Sequence, residues 1–166
     1  MAQKKYSTVI FGCGNPLMGD DGFGPAVIEQ LQSRYDLGEA VAAVDASTGV
    51  REYLFDYLLA IDDCPGSIII LDAVDLPDRL PGELFFLASS DIPALKTHDF
   101  SLHQFPTVNL LSEIEEHTGT TVTILAAQIE YIPNEIHPGL SPSMKLAVPT
   151  ACETILQILS VDSATR

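Results

Sequence analysis

The stretch Phe11-Gly12-Cys13-Gly14-Asn15-Pro16-Leu17-Met18-Gly19-Asp20-Asp21-Gly22-Phe23-Gly24 decides how this chain is read. Just upstream, Ser7-Thr8-Val9-Ile10-Phe11 is an apolar run that predicts a buried strand. Downstream, Val27, Ile28 and Leu31 recur at helical spacing and predict a helix over about 23–34. Five glycines therefore fall in a strand-to-helix loop, where backbone can approach a ligand closely because no Cβ intervenes. Asp20 and Asp21 close the same loop. A loop built only to hold phosphate would not set two carboxylates beside it. The pair points to a metal, a cationic group or a water that needs a base.

Working outward, strands and helices alternate. Val41-Ala42-Ala43-Val44 reads as a short second strand ending at Asp45. Val50, Tyr53, Leu54, Tyr57, Leu58 and Ile61 keep helical spacing and predict a second helix over about 48–62. Ser67-Ile68-Ile69-Ile70-Leu71 is a continuous apolar run of the kind buried on both faces, ending in Asp72. Glu83 to Leu87 predicts a fourth strand. Its link to the third is short and lacks a helical pattern, whereas a parallel crossover needs about a dozen residues or more, so the fourth strand is expected to be antiparallel. Ser101-x-x-Gln104 resembles a capping box and predicts a third helix near 101–117, although Pro106 interrupts its first turns. Thr121 to Ile129 predicts a fifth strand, and Ser141-Pro142 opens a last helix over about 142–159, which Pro149 is expected to kink. The pattern is that of one α/β domain over 1–166, with 160–166 expected as a frayed tail.

Composition narrows the partners. Eight basic against 23 acidic residues give a net charge of −15, a surface that repels nucleic acid and anionic membranes. No uninterrupted apolar run reaches the ~18 residues of a membrane span, and the first strand follows Met1-Ala2-Gln3-Lys4-Lys5 with no cleavable apolar region. The three cysteines, Cys13, Cys64 and Cys152, are odd in number and lack C-x-x-C spacing, which argues for a reducing compartment and against a structural zinc site. The expectation is a cytoplasmic protein.

Ligands of open α/β sheets bind beyond the carboxyl ends of the strands. There the sequence places Asn15, Asp20 and Asp21, then Asp45 with Ser47-Thr48-Gly49, then Asp72 and Asp75, with His103 on a returning segment and His137 after the fifth strand. Carboxylates with a histidine suit a divalent metal. Each has a plainer reading as well: Asp20 as a helix cap, Asp21 as a first-turn acid, Asp45 as a turn residue bonding toward Thr48. Asp72 is the hardest to dismiss, because a carboxylate ending an aliphatic run is costly to desolvate. His98, His117 and His137 read as ordinary surface or turn residues.

Gly12-x-Gly14-Asn15-x-Leu17-x-x-Asp20-Asp21-Gly22-x-Gly24, Asp45-x-Ser47-Thr48-Gly49, Leu71-Asp72-Ala73 and Ser101-x-His103-Gln104, in this order and spacing, closely resemble the nickel-iron hydrogenase maturation proteases. The wording around His98–His103 looks most like the branch serving the coenzyme F-420-reducing hydrogenase. The resemblance implies a three-layer α/β/α sandwich with a five-stranded, mostly parallel sheet whose fourth strand is antiparallel. It also implies an endopeptidase that removes a C-terminal extension from the hydrogenase large-subunit precursor after nickel insertion, without a serine or cysteine nucleophile. Carried onto this chain, the metal-contacting and catalytic groups are Asp21, Asp72 and His103. Many members carry glutamate at the first position; the aspartate here is one methylene shorter, so either Asp20 or Asp21 can point inward, with Asp21 favoured. Gly12, Gly14, Asn15, Asp45, Thr48 and Gly49 form the expected substrate and oxyanion loops, the start of the first helix being the alternative oxyanion donor. Nickel is expected to arrive with the precursor, with no nucleotide cofactor and a monomeric free protein.

Three rival readings remain open on sequence. A dinucleotide-binding oxidoreductase fits Gly12-x-Gly14 and Asp45, but Leu17 stands at the third glycine position of that fingerprint. A peptidyl-tRNA hydrolase-like enzyme fits Gly12-x-Gly14-Asn15-Pro16 but not the net charge. A nickel-binding chaperone would use the same ligands without hydrolysis.

Overall fold

The computed structural model describes residues 6–91 and 108–164. Within them lie β1 (Thr8–Cys13), a 3-10 turn (Gly19–Gly22), α1 (Phe23–Arg34), β2 (Val41–Ser47), α2 (Val50–Leu59), β3 (Ser67–Val74), β4 (Leu84–Leu87), α3 (Val108–Thr118), β5 (Thr121–Gln128) and α4 (Pro142–Ala164). The five strands form one sheet in the order β2-β1-β3-β5-β4. Its pairs are parallel except β4 with β5, which is antiparallel, as the short β3–β4 connection requires.

The period of two along β1 and β3 builds a core on each face. Ile10, Ile69 and Leu71 meet Val27, Ile28 and Leu31 of α1 and Met144, Val148 and Ile155 of α4. Val9, Phe11, Ile68 and Ile70 meet Val50 and Leu54 of α2 and Leu111 and Ile114 of α3. This is the three-layer α/β/α sandwich. By length and composition α4 matches a bilayer-spanning helix, yet Met144, Ala147, Val148, Ala151, Cys152 and Ile155 make it a core helix instead.

Four expectations are corrected. β2 runs on to Ser47, because Gly14 N–H donates to Ser47 O at 2.8 Å and holds the strand end against β1 through a bulge. β3 runs on to Val74, so Asp72 lies inside a strand and not at its end. α2 stops at Leu59, and Ile61–Asp63 is a separate 3-10 turn. The frayed tail is also wrong as far as Ala164: Ser160-Val161-Asp162-Ser163-Ala164 contains no Gly or Pro, and α4 continues through it. The start of the third helix, with Ser101, His103, Gln104 and Pro106, lies outside the described residues, as does His98.

Candidate functional site

Asp72 follows the parity of its strand. Ile68 and Ile70 face α2 and α3, so Asp72 faces that side too, beyond the end of the apolar layer. Cys13, at the end of neighbouring β1, shares this face. Asp21 reaches the same place from the 3-10 turn, which packs against β3. All three are buried: Asp72 is 1%, Cys13 2% and Asp21 7% exposed.

Burial pushes the Cys13 thiol well above its ordinary range, and the charges of Asp72, Asp21 and Asp45, in that order, push it further. The three carboxylates thus lie within electrostatic reach of one sulfur. The upward shift also keeps Cys13 a protonated thiol, unsuited to act as nucleophile.

Asp21 Oδ2 accepts the Asn15 N–H at 2.8 Å, and Asp72 Oδ1 accepts the Ala73 N–H at 2.9 Å. Asp21 Oδ1 and Asp72 Oδ2 are shielded from bulk solvent. Among the described residues, no three His, Cys, Asp or Glu side chains converge closely enough to hold a metal. The expected third group, His103, lies outside them.

Hydrogen bonding separates the two adjacent acids. Asp20 does not cap α1. Its Oδ1 accepts Ser141 N–H at 2.7 Å, and its Oδ2 accepts Glu130 N–H, Tyr131 N–H and Ser141 O–H at 2.8, 3.3 and 2.9 Å. Asp20 is thus a structural clamp, and Asp21 faces the site. Sequence reasoning missed this role, since Glu130, Tyr131 and Ser141 are remote in the chain. The polar Ser141 before Pro142 was the available signal.

The amides of the expected oxyanion loop have partners within the fold. Gly14 N–H is given to Ser47 O, Asn15 N–H to Asp21, Leu17 N–H to Asn15 Oδ1, Met18 N–H to Asn15 O and Gly19 N–H to His137 O. A donor already spent on the fold is not free for a developing charge. The same expenditure removes the amides that a dinucleotide pyrophosphate would require.

The loop glycines serve packing instead. A Cβ at Gly12 would stand 2.5 Å from Gly24 O and 2.5 Å from Ile28 Cγ1, so Gly12 lies against α1 and away from the site. Gly14 takes φ 125, and a side chain there would collide with the Asp21 backbone. Asn15 spends its side-chain oxygen within the loop.

On the neighbouring loop, Asp45 is exposed and bonds not toward Thr48 but to Ser47, whose N–H and O–H reach its Oδ1 at 2.9 and 2.8 Å. Thr48 is exposed and Gly49 donates to Ala46 O, so both shape the turn into α2. Asp75 is exposed and accepts from Gln128 Nε2 at 2.9 Å, outside the buried cluster. A cavity of 420 Å³ lies beside α1, lined by Pro16, Gly22, Pro25, Glu29, Gln32 and Asp45 among others; Asp21 and Asp72 do not line it.

These features can be set against known proteins. The family model described as hydrogenase maturation protease matches residues 25–158. The hydrogenase 2 maturation protease of Escherichia coli is 31% identical over 91% of this chain and 89% of its own length. The coenzyme F420 hydrogenase subunit delta of Methanothermobacter thermautotrophicus is 31% identical over 92% of this chain and 94% of its own. The solved structure of the hydrogenase-maturating endopeptidase HybD from E. coli superimposes with a TM-score of 0.76 at 29% identity, covering 93% of each chain. Fold, family match and full-length similarity agree, and the chain belongs to the hydrogenase maturation proteases.

Proposed function

We propose that this protein cuts the C-terminal extension from a nickel-loaded [NiFe] hydrogenase large-subunit precursor, and that Asp21, Asp72 and His103 engage the nickel the precursor carries. The observation that supports the reading is the convergence of Asp21 and Asp72, both buried, at the carboxyl edge of the sheet. Desolvating a carboxylate costs several kcal/mol per ion, and a divalent cation arriving with the substrate offsets that cost. Oxygen and imidazole donors match such an ion.

In this reading the metal is part of the substrate and its presence is what the enzyme inspects. The bound precursor lays its scissile amide beside the two carboxylates. One of them takes a proton from the attacking water and, now a carboxylic acid, gives it to the departing amide nitrogen as the C–N bond opens, so the carboxylate is restored. With the Gly14 and Asn15 amides spent on the fold, the precursor's own nickel polarises the carbonyl, the start of α1 being the other donor available to the developing charge. A protonated Cys13 takes no covalent part. The chemistry is then of an aspartyl type, assisted by the substrate's ion, and uses no nucleotide cofactor. Three buried free thiols suit a cytoplasmic setting, and the free protein acts as a monomer.

The test is mass analysis of a purified precursor, nickel-loaded and nickel-free, before and after incubation with the protein. The F-420-reducing hydrogenase precursor is the first to try. Shortening of the loaded form alone is expected, and Asp21→Asn and His103→Ala are expected to leave it full length. Cleavage of the nickel-free form at the same rate refutes the metal-guided reading. An unchanged length accompanied by altered nickel content makes the protein a chaperone instead.

A further inference from the structure

The loop after β1 and the connection after β5 leave the sheet on either side of β3, yet they form one body. Asp20, 1% exposed, binds the second to the first through four hydrogen bonds to Glu130, Tyr131 and Ser141. His137 N–H donates to Leu17 O at 2.8 Å, and Gly19 N–H donates to His137 O at 2.9 Å, so Met18 and His137 pair as a short parallel bridge. The Pro133 ring lies against Gly19, where a Cβ would come within 2.8 Å of its Cδ. An irregular segment held this firmly is a ledge.

The ledge presents three exposed apolar side chains among polar ones. Leu17 is 47%, Tyr131 51% and Ile136 72% exposed. Leu17 and Ile136 each precede a member of the bridged pair Met18 and His137, which sets them side by side along the two backbones. Glu130 and Glu135 are exposed on the same segment. Exposed apolar side chains on a fixed backbone, rimmed by charge, mark an interaction surface. Their ordering cost is met when the protein folds and not when a partner binds, which favours affinity.

We propose that this ledge is where the hydrogenase large-subunit precursor docks, an inference that rests on the function proposed above. Leu17, Tyr131 and Ile136 seat on an apolar patch of the precursor, and Glu130 and Glu135 face basic residues around it. Continuity with the site selects this occupant. Asp21 follows the clamp residue Asp20 directly, so a partner seated on the ledge is held in register with the carboxylates. The acidic rim, in a chain of net charge −15, selects a partner face with basic residues.

The experiment measures processing of the nickel-loaded precursor by the wild type, Leu17→Asp, Ile136→Asp, Glu135→Lys and a control, Leu146→Asp, which alters an equally exposed leucine on α4. Thermal unfolding verifies that each variant folds. The two ledge aspartates are expected to raise KM about tenfold or more with kcat unchanged, as loss of a docking contact requires. Glu135→Lys raises KM less, with an effect that fades at high salt, and the control matches the wild type. Unchanged KM in both ledge variants, while the wild type processes normally, overturns the ledge and leaves the function standing. Absence of processing by the wild type overturns the function itself. If sedimentation shows that the wild type self-associates and Ile136→Asp abolishes this without altering KM, the ledge joins two copies of this chain and the proposal is overturned.

Discussion

Gly24 is the point where α1 is clamped to the sheet, and Gly24→Ala tests that clamp. An added Cβ would stand 2.5 Å from Cys13 N and 2.7 Å from Leu71 O, and closer still to Cys13 O. All three are backbone atoms of β1 and β3, so no rotamer change relieves the collision. Restoring ordinary contact at ~3.5 Å moves the helix start away by about 1 Å. Overpacking of this kind costs about 1–3 kcal/mol, and a rigid backbone on every side places this site at the upper end. A loss of about 3 kcal/mol lowers Tm by roughly 6–12 °C in a domain of this size, read by circular dichroism and checked by urea titration. The displacement also reaches the chemistry, because the turn carrying Asp21 leads directly into α1. A shift near 1 Å costs about a hundredfold in rate, so processing should fall more steeply than stability. A variant melting within about 2 °C of the wild type with full processing would show that α1 is not pinned here and refute the reasoning.

Three further predictions follow from the same geometry. Asp72→Asn keeps the size of the side chain and its acceptor for Ala73 N–H and should leave the protein folded, while precursor cleavage drops by about 10²–10⁴; loss of folding would make Asp72 structural. Asp20→Asn deprives at least one backbone N–H of its charged acceptor and should cost about 1.5–3 kcal/mol in urea unfolding, a cost within 0.5 kcal/mol of zero contradicting the clamp. The Cys13 thiol, raised by burial and by Asp72, Asp21 and Asp45, should resist iodoacetamide in the native protein, and Cys13→Ser should retain processing. Because its folded value lies above its unfolded one, the unfolded chain yields the proton first, so stability should decline as pH rises beyond about 9; Cys13→Ala should flatten that decline.

The sequence revealed the elements whose apolar pattern is strong and local. Ile68 to Leu71 announced a doubly covered strand, and the short link after β3 disclosed an antiparallel neighbour. That Asp72 is a buried carboxylate could be read from its aliphatic neighbours, though not that β3 continues past it; Ala73 and Val74 are weak signals taken alone. Long-range hydrogen bonds were invisible. Nothing near Asp20 shows that its acceptors are taken by Glu130, Tyr131 and Ser141, and nothing near Gly14 shows that its amide is owed to Ser47. The family was legible through its motifs in order and spacing, but the hydrogen-bond partners of the individual residues required three dimensions.

The Asp20–Ser141 bond joins residues 121 positions apart in the chain. A nascent polypeptide that has emerged only as far as β5 already owns Asp21 and Asp72 but not the Ser141 donors that anchor the turn beside them. The turn that carries Asp21 therefore gains its anchor only after the stretch around Ser141 has been made, which puts the setting of the site late in folding.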